Sequence, residues 1–514
     1  MSDQVRIELL PLGKSVIVER GAALQDVLFD YGVEFPCGGR GRCKGCRIRI
    51  LGGALPATDD DALLLTEADI AGGWRLACRA RAQTELKVEL AQWEAAILAD
   101  DSAFDFTPQV GLGVAVDLGT TTIVAQLLDL RTAQVLAVKT ALNVQGKRGA
   151  DIMSRVEYAV AKRGQPKLTQ LIRVQIGDMI AELLKSAGSV PADVTNVMVV
   201  GNTVMHHLFC GIELEPLSHF PFEPEYYGLQ VFRAEYLRWK IRGNPMVRFL
   251  PCLGGFVGSD ILAGVLATKM HESDALAALV DLGTNGEIVV GNSQRMLCAS
   301  TAAGPAFEGA RISRGMRAAT GAVSEVNVKN GGLQCRVLGR GSARGICGSG
   351  LVDAVAAGLE IGAIDPSGRL VRGSTLPLCP GVALTQGDIR ELQLAKGAIA
   401  AGFRVLVRRW GASLDRVTRV YLAGAFGNYI NAANAWRIGL LPCEPEKVRP
   451  AGNTALLGAK VALFRLGQND GSYTDILKRI EHVPLNEDPQ FQDTYVDEMR
   501  LPESPAPVQA SIKG

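Results

Sequence analysis

The sequence carries almost no excess of charge of either sign. Lys and Arg together number 54, and Asp and Glu together number 53. Proteins whose main task is to bind nucleic acid or an anionic membrane carry a clear surplus of basic residues. The even balance therefore argues against both kinds of partner.

A long hydrophobic run is also missing. No stretch reaches the roughly 18 consecutive apolar residues expected of a membrane-spanning helix. The opening residues, Met-Ser-Asp-Gln-Val-Arg, do not have the basic and then apolar order of a secretion signal. We therefore expect a cytoplasmic protein. Its 514 residues, 47% hydrophobic and 21% charged, predict several globular domains.

The eleven cysteines are unevenly distributed. In a protein expected to stay in the reducing cytosol, they do not indicate a disulfide framework. Seven of them stand far apart, as small buried hydrophobic residues usually do. The other four, Cys37, Cys43, Cys46 and Cys78, fall within the first 80 residues.

These four cysteines have the spacing of an iron-sulfur site. Three thiols lie close together in Cys37-Gly-Gly-Arg-Gly-Arg-Cys43-Lys-Gly-Cys46, and Cys78 can supply a fourth from a distant segment. An iron-sulfur cluster needs four thiolate ligands. The alternative, a structural zinc site, usually uses two short Cys-x-x-Cys pairs, and Cys78 has no such partner nearby. The pattern favours a cluster over zinc.

The residues around these cysteines follow a definite order. Residues 5–9 and 15–19 alternate between apolar and polar like two strands, and residues 23–31 have helical spacing before the cysteine loop. This order and the cysteine pattern resemble the 2Fe-2S ferredoxin domain with a β-grasp fold, over about residues 3–93. The resemblance implies one 2Fe-2S cluster held by the four cysteines. The five residues between the first two cysteines place it nearer to the adrenodoxin-like branch than to plant ferredoxins.

Two glycine-threonine turns lie in the rest of the chain, in Asp117-Leu-Gly-Thr-Thr-Thr and Asp281-Leu-Gly-Thr-Asn. Each turn lies between apolar, strand-like runs. Such a hairpin can point backbone N–H groups and hydroxyls at phosphate oxygens, while its aspartate can hold Mg²⁺ through water. Because the two copies lie 164 residues apart (281 minus 117), we predict duplicated subdomains that face one nucleotide cleft.

A third glycine loop, Gly424-Ala-Phe-Gly427, follows another strand-like run and can close on an adenine or a ribose. The sequence has no Gly-x-x-x-x-Gly-Lys-Ser/Thr loop, and no Gly-x-Gly-x-x-Gly directly after a strand. The three segments together resemble the phosphate-1, phosphate-2 and adenosine motifs of the superfamily of sugar and acetate kinases, heat-shock chaperones and actin. That resemblance implies an α/β fold that binds ATP with Mg²⁺.

The motif resemblance implies a role for each residue of these loops. Asp117 is expected to position Mg²⁺, and Asp281 is expected to orient water or metal. The residues expected to contact the nucleotide are Gly119, Thr120, Thr121, Gly283, Thr284, Asn285, Gly424 and Gly427.

Two glutamates and two histidines near these motifs have open roles. Glu287 and Glu308 are either bases that activate water or residues with an ordinary helix-end or surface role. His206 and His207 form the only adjacent pair of histidines and are expected to have a packing or surface role rather than a ligand role.

Together, the ferredoxin-like and ATPase-like parts resemble the reductive activators of corrinoid proteins, also called corrinoid activation or regeneration proteins. The resemblance extends to residues 143–155, 200–209, 303–309 and 345–353. It implies that ATP and a reduced cluster return an inactive Co(II) corrinoid to the Co(I) form that methyl transfer requires. Such a fusion makes physical sense, because moving one electron ~59 mV uphill costs about 1.4 kcal/mol, which ATP can supply.

The resemblance also implies the partners. They are a corrinoid protein of a methyltransferase system and an upstream electron donor, with neither nucleic acid nor membrane, and a homodimer is allowed. No Asp-x-His-x-x-Gly cobalamin loop occurs in the sequence, so the corrinoid is expected on the partner protein. Only Cys443 lies in the last 130 residues, so we expect no additional 4Fe-4S centre of the kind that some archaeal relatives carry.

We predict α+β and α/β structure, with an N-terminal β-grasp 2Fe-2S ferredoxin domain followed by a duplicated ATPase like that of actin, sugar kinases and heat-shock chaperones. The predicted divisions are 1–93 for the ferredoxin domain, 94–110 for a linker, 111–205 and 206–482 for two ATPase subdomains, and 483–514 for a C-terminal tail, disordered from Pro502. Three other functions stay open on the residues alone. They are an ATP-dependent activator of a radical dehydratase, a ferredoxin-tethered small-molecule kinase and a redox-sensing scaffold.

Overall fold

The structure is a computed structural model that describes most of the chain. The described residues are 4–10, 12–29, 31, 33, 46–90, 104–149, 151–188, 193–283, 285–309, 311–338, 342–427, 430–465 and 472–503. Three residues of the predicted sites, Cys37, Cys43 and Thr284, lie outside these ranges. Within the described ranges, no helix combines the length and the apolar character needed to cross a bilayer.

The N-terminal part of the chain folds into a five-stranded sheet with three short helices in its described residues. Its elements are β1 (Gln4–Leu10), β2 (Lys14–Glu19), α1 (Leu24–Phe29), β3 (Arg47–Gly52), α2 (Asp59–Leu64), α3 (Glu67–Ala71), β4 (Trp74–Leu76) and β5 (Leu86–Leu90). The strand order is β2-β1-β5-β3-β4. Every second side chain of β1 is buried, and Val5, Ile7 and Leu9 pack in one core with Leu24 and Leu28 of α1. The two strands and the helix predicted before the cysteine loop are therefore present.

The next part of the chain, which we call the first lobe, surrounds a six-stranded sheet. Its elements are β6 (Leu112–Leu118), β7 (Thr122–Asp129), β8 (Val135–Leu142), α4 (Ile152–Val160), α5 (Gln165–Ser186), β9 (Val194–Val200), α6 (Thr203–Cys210), β10 (Gln230–Arg233), β11 (Met246–Phe249) and α7 (Ser259–Thr268). The strand order is β10-β11-β9-β6-β7-β8, with β6 antiparallel to β7 and parallel to β9. Both faces of the sheet are covered, so β6 and β7 are nearly continuous apolar runs.

The remaining chain forms a second lobe on the same plan. Its elements are β12 (Ala277–Leu282), β13 (Gly286–Gly291), β14 (Met296–Thr301), β15 (Ala322–Lys329), β16 (Gly332–Val337), β17 (Gly345–Ile346), α8 (Gly348–Glu360), β18 (Thr375–Cys379), β19 (Val382–Thr385), α9 (Gln386–Trp410), β20 (Arg419–Ala423), α10 (Gly424–Gly427), α11 (Ala432–Arg437), β21 (Val448–Gly452), α12 (Thr454–Arg465), α13 (Ser472–Arg479), β22 (Ile480–His482) and α14 (Phe491–Glu498). Its main sheet has the order β21-β20-β12-β13-β14-β22. Three antiparallel strands with two parallel neighbours occur in both lobes, as β8-β7-β6-β9-β11 and as β14-β13-β12-β20-β21. The predicted duplication is confirmed.

Helices α7 and α12 lie between the lobes and pack against each other. A Cβ atom at Gly458 of α12 would lie 2.0 Å from the carbonyl oxygen of Ala263, so this glycine allows the two helix backbones to approach closely. Apolar side chains of these helices share one core with Val124 of β7 and Leu279 of β12. The two halves of the ATPase-like part are therefore joined by a continuous hydrophobic core.

The predicted division between residues 205 and 206 falls inside α6. Met205 and Leu208 of this helix are buried in the same core as Val247 and Phe249 of β11. The first sheet continues beyond the predicted division, because β10 and β11 extend its edge next to β9. The chain leaves the sheet through α6 and long loops and then returns to it as β10 and β11.

The described part of the predicted tail is docked on the second lobe. The Gln393 Nε2 atom donates to the Met499 carbonyl at 2.9 Å, and Lys396 Nζ donates to the Arg500 carbonyl at 2.6 Å. Helix α14 packs along α9 just before these contacts. The predicted tail therefore completes the second lobe as far as the described residues extend.

Candidate functional site

A cleft with a volume of about 270 Å³ opens between the two lobes. The predicted site residues that line it are Asp117, Gly119, Thr120 and Thr121 from the first lobe, and Asp281, Gly283, Asn285 and Gly424 from the second. Gly427 is buried behind the lining, where a Cβ atom would lie 2.9 Å from the carbonyl oxygen of Leu422. The structure thus brings both hairpins and the start of the third glycine loop to one place.

The first hairpin turns tightly between β6 and β7. The pairing of Leu118 with Ile123 closes the turn, and a Cβ atom at Gly119 would lie 2.5 Å from the carbonyl oxygen of Thr122. Only glycine fits that distance. Asp117, at the end of β6, is half-buried on the cleft wall and accepts a hydrogen bond from Asn453 Nδ2 at 3.0 Å.

Three side chains hold this turn from behind. Asn143 Nδ2 donates to the Gly119 carbonyl at 3.0 Å, Asn202 Nδ2 donates to Thr120 Oγ1 at 2.8 Å, and the buried guanidinium of Arg155 donates to the Thr120 carbonyl. These three residues lie in the segments that resemble the corrinoid activators, but the sequence alone assigned them no role. Their contacts fix the turn in one conformation.

The second hairpin and the third loop touch each other. The Gly283 N–H donates to the Asn285 carbonyl at 3.0 Å at the tip of the β12–β13 turn. Gly424 has a φ of +86°, and a Cβ atom there would lie 2.6 Å from Asp281 Oδ1 and 2.7 Å from the Leu282 carbonyl oxygen. The glycine is therefore required both by its backbone conformation and by the closeness of the second hairpin.

We expect Gly424→Ala to weaken ATP binding about tenfold or more, because the added methyl group displaces Asp281 and the second hairpin from the cleft. Gly411→Ala is the matched control, since Gly411 has a φ of +91° and no atom within 4 Å of the added Cβ. Both variants should lose about 1–2 kcal/mol of unfolding free energy from backbone strain. Titration calorimetry with ATP and Mg²⁺ should separate them, and equal affinities would contradict the assigned role of Gly424.

Five carboxyl groups line the cleft: Asp117, Asp260, Asp281, Glu287 and Glu308. Burial raises the pKa of Asp117 to about 6, against the opposing hydrogen bond from Asn453. Burial and the charge of Asp117 raise the pKa of Asp281 to about 7. The pKa values of Asp260 and Glu287 are also raised, by burial first and by the neighbouring carboxylates second. The cleft therefore concentrates negative charge that a bound cation would neutralise.

Sequence reasoning missed Asp260. It stands in the first turn of α7, where acidic residues are common simply because they interact favourably with the helix dipole, so its position carries no specific signal. Glu287 is buried in β13 with 8% exposure, so the surface role left open for it is wrong. Strand pairing places it directly opposite Asp281. Glu308 is half-buried and lines the same cleft.

The carboxyl groups of the cleft do not form a ready-made metal cage. In the described ranges, no group of three or more histidine, cysteine or acidic side chains converges closely enough to hold an ion. Mg²⁺ typically keeps several waters and is bound by one or two carboxylates together with phosphate oxygens. The arrangement fits a cation that arrives with a nucleotide. Among the cleft-lining residues that the structure describes, Arg317 is the only cation.

The raised pKa values predict how the stability of the nucleotide-free protein depends on pH. From an ordinary value of 3.8, the pKa of Asp117 rises to about 6 and that of Asp281 to about 7 on folding, so the folded protein binds these protons more tightly than the unfolded chain. This contribution to the unfolding free energy is complete below about pH 4 and is lost as the pH rises through about 6 to 7. Thermal unfolding without Mg²⁺ should show this decrease.

Asp281→Asn is the variant that checks this pH dependence. Because its side chain does not ionise, the fall in melting temperature between pH 4 and 7 should be smaller than in the wild-type protein. ATP with Mg²⁺ should also reduce the fall in the wild type. An identical pH profile in the variant would contradict the shifted pKa.

The described part of the N-terminal domain contains two of the four predicted cluster ligands, at the adjacent ends of two paired strands. Cys46 is fully buried just before β3, and Cys78 is half-buried just after β4. The strands pair antiparallel with Arg47 opposite Leu76, and the Ala77 N–H donates to the Cys46 carbonyl at 3.0 Å. Strand pairing thus brings the backbone at Cys46 next to Ala77, the residue before Cys78, an arrangement that fits a thiolate-bound cluster. The other two predicted ligands belong to the part of the chain outside the described ranges.

The adjacent histidines of α6 are packed inside the first lobe. Both are fully buried; His207 Nδ1 is 2.8 Å from the Thr203 carbonyl, and His206 Nε2 is 3.2 Å from the Gly228 carbonyl. Burial and the neighbouring His207 lower the pKa of His206 to about 3, and burial lowers the pKa of His207. Of the two expected roles, packing and surface, the structure therefore shows the packing role for both histidines.

Comparisons with known proteins match three consecutive parts of the chain. Residues 7–83 match the 2Fe-2S iron-sulfur cluster binding domain, residues 112–273 match the RACo middle region, and residues 275–512 match the C-terminal domain of RACo, the ASKHA domain. The corrinoid activation enzyme RamQ of Eubacterium limosum is 35% identical over 421 residues, which cover 75% of this chain and 69% of RamQ. The chain belongs to the family of reductive activators of corrinoid proteins.

Other members of this family agree with that assignment. The [Co(II) methylated amine-specific corrinoid protein] reductase of Methanosarcina barkeri is 28% identical over 421 residues, covering 75% of this chain and 76% of the reductase. A solved structure of a reductive activator for corrinoid, iron-sulfur protein superposes with a TM-score of 0.69 and 26% identity, covering 97% of this chain and 98% of that one. In the present chain, the region that matches the cluster-binding domain includes the four predicted cysteines, and the region that matches the ASKHA domain includes Asp281 and Gly424.

Proposed function

We propose that this protein is an ATP-dependent one-electron reductive activator of a corrinoid protein. In the net reaction, one electron converts Co(II) of the partner's corrinoid to Co(I), while ATP and water give ADP and phosphate. The observation that carries the proposal is the 35% identity over 421 residues with a corrinoid activation enzyme. The cleft between the lobes supports it, because its lining combines Gly119 and Thr120 of the first hairpin and Gly283 of the second with carboxyl groups.

The proposed nucleotide site uses residues of both lobes. Asp117 would hold Mg²⁺ through water, and Asp281 would orient water or the metal from the opposite side. The phosphates would contact Gly119, Thr120 and Thr121 on the first hairpin and Gly283, Thr284 and Asn285 on the second, and Gly424, backed by Gly427, would lie against the adenosine. Backbone N–H groups and hydroxyls at tight turns are suited to phosphate oxygens.

The proposed cluster site consists of Cys37, Cys43, Cys46 and Cys78. A bound 2Fe-2S cluster supplies one-electron transfer and requires four ligands from the protein. The chain's own contribution is the β3–β4 pairing, which holds the backbone of Cys46 against Ala77, the residue before Cys78. The proposal includes an upstream electron donor, which is required to return the cluster to its reduced state. It also includes a cytoplasmic location and a homodimer.

We also propose a later division of the ATPase part, near residue 273, in place of residue 205. The first sheet is complete only after β11, and α7 follows it. The matched family regions meet between residues 273 and 275, which supports the same position.

The experiment that tests the function follows the cobalt spectrum. The reduced protein is mixed anaerobically with ATP, Mg²⁺ and a Co(II) corrinoid protein of a methyltransferase system, and the appearance of Co(I) is recorded. We expect Co(I) only when hydrolysable ATP is present. A non-hydrolysable ATP analogue is the control. The proposal fails if no Co(I) appears, or if the same amount appears without nucleotide.

A further inference from the structure

The N-terminal domain is attached to the second lobe by three polar contacts. Three arginines and two carboxylates meet there. The contacts are Arg47 with Ser313, Asp69 with Arg314, and Glu89 with Arg344. Arg314 Nη2 lies 3.3 Å from Asp69 Oδ1, and both of these side chains are largely shielded from solvent. The interface is therefore specific as well as charged.

Arg47 has the most direct link to the cluster site, because it follows Cys46 in the chain. Its side chain is only 7% exposed, and its guanidinium lies 5.5 Å from the centre of the Trp74 ring. Its Nη1 donates to the Ser313 carbonyl of the second lobe at 3.2 Å. A residue adjoining a predicted cluster ligand is thus tied to the ATPase part.

From this interface, two adjacent segments run to the nucleotide cleft. We call residues 313–318 and 344–349 the connector. They are joined by hydrogen bonds from the Ile346 N–H to the Arg314 carbonyl (2.8 Å) and from the Met316 N–H to the Ile346 carbonyl (2.9 Å). The first segment ends with Arg317 lining the cleft, and residues 347–349 of the second line the same cleft.

The connector is packed too tightly to absorb a displacement. A Cβ atom at Gly315 would lie 1.8 Å from the Gly309 carbonyl oxygen. The Ser313 N–H and its hydroxyl both donate to the carboxylate of Asp388, at 2.6 Å each, and Asp388 caps helix α9. Close-packed interiors transmit strain, so a movement of one connector end should be felt at the other.

The cleft end carries a group that is suited to bind phosphate. Arg317 is the only cation among the described lining residues, and it faces a cleft otherwise rich in carboxylates. Guanidinium groups bind phosphate oxygens with paired N–H donors. Phosphates in the cleft would therefore attract Arg317 and the connector that carries it.

The N-terminal domain also touches the first lobe. Lys147 Nζ lies 3.4 Å from the Asp26 carbonyl and 4.9 Å from the centre of the Phe29 ring, both in α1. The domain is consequently in contact with both lobes that form the cleft. Any change in the separation of the lobes must alter at least one of these contacts.

We infer that the connector couples the nucleotide state of the cleft to the cluster domain, with Arg47 as the positioning residue at its cluster end. This inference rests on the proposed function and deepens it. By linkage, nucleotide binding that depends on the redox state of the cluster must shift the cluster's potential by the equivalent free energy.

The test is a redox titration of the purified, cluster-loaded protein with and without a non-hydrolysable ATP analogue and Mg²⁺, followed by EPR. We expect the analogue to bind the oxidised protein about tenfold more tightly than the reduced protein, which lowers the midpoint potential by ~59 mV. In Arg47→Ala, the affinities of the oxidised and reduced protein for the analogue should differ by less than about twofold, because the hydrogen bond to the Ser313 carbonyl is lost. Arg47→Lys can still donate to that carbonyl and should restore much of the shift.

Two further variants make the test decisive. Arg6→Ala is the control, because Arg6 bonds to Ser15 within the N-terminal domain and its variant should keep the full shift. Arg344→Ala breaks the contact with Glu89 from the ATPase side. This variant tests the coupling if Arg47→Ala fails to retain its cluster. We expect Arg344→Ala to lose the shift and to retain ATP affinity in the oxidised state within about twofold.

The outcomes separate this inference from the proposed function. The titration contains no corrinoid protein, so a wild-type protein that makes Co(I) with ATP but shows no nucleotide-dependent shift overturns the coupling alone. A shift that persists in Arg344→Ala and in a cluster-retaining Arg47→Ala also overturns it. Hydrogen exchange gives a second readout, because backbone amides of the connector should become slower to exchange when the analogue binds, and unchanged exchange would count against the connector.

Discussion

Asp117→Asn is expected to lower ATP hydrolysis and ATP-dependent Co(I) formation by about 10²–10³-fold, the effect of losing one electrostatic contact in an active site. The carboxylate stands at the cleft end of β6, beside the turn that would hold the phosphates. The amide keeps the size of the side chain but removes the charge that would attract Mg²⁺. ATP turnover and the cobalt spectrum measure the two activities.

The same variant should fold at least as well as the wild type. Burial is the largest cause of the raised pKa of Asp281 and of Asp260, and the neighbouring carboxylates, Asp117 among them, raise both further because like charges repel in the nucleotide-free cleft. Removing one charge relieves that repulsion, so at pH 8 the melting temperature without nucleotide should stay equal or rise. The cluster spectrum should also be unchanged.

Asp129→Asn is the matched control for this substitution. Asp129 ends β7 at the opposite end of the same hairpin, where it pairs with Leu112 and accepts a hydrogen bond from the Arg131 N–H at 2.7 Å. Its variant should retain full activity. If Asp117→Asn keeps more than half of the wild-type ATP turnover, the assigned role of this aspartate is wrong.

Cys78→Ala should abolish the 2Fe-2S absorption and EPR signals and eliminate Co(I) formation. Removing one of four thiolate ligands should lower bound iron about tenfold or more, since even changes in the groups that support metal ligands cost 10–100-fold. The Cys78→Ala variant should bind ATP with an affinity within about twofold of that of the oxidised wild-type protein, because the nucleotide residues lie in the other domain. Iron and acid-labile sulfide analysis, with calorimetry, checks both parts.

Cys210→Ala provides the comparison for the cysteine substitution. Cys210 is half-buried like Cys78 but ends α6 in the first lobe, far along the chain from the predicted ligands. Its variant should retain iron, sulfide and Co(I) formation. A Cys78→Ala protein with a full complement of iron would remove Cys78 from the cluster.

The hairpins were predictable because their signal is local. In Asp117-Leu-Gly-Thr, the apolar run before the turn and the glycine within it already specify a buried strand followed by a tight reversal. The same argument applies at Asp281. That the two turns face one cleft followed from duplication, since similar halves of a chain place similar elements at corresponding positions.

Other residues of the cleft gave no such signal. Asp260 and Arg317 are ordinary residues in a helix start and a loop, and only the packing of α7 and the connector brings them to the cleft. The return of the chain to the first sheet after residue 205 gave no local signal either. Strand β11 returns to pair with β9 after a long excursion, and strand pairing at that distance depends on tertiary contacts.

The sequence by itself determined which chemical groups this reductive activator has: the four cysteines, the two glycine-threonine turns and the third glycine loop. Ligand type and turn geometry depend on neighbours within a few residues, so they can be read from the local sequence alone. Only the tertiary structure decided how these groups are connected. Arg47 and Ser313 are 266 residues apart in the chain, and their contact exists because the N-terminal domain packs across the lobes that form the cleft.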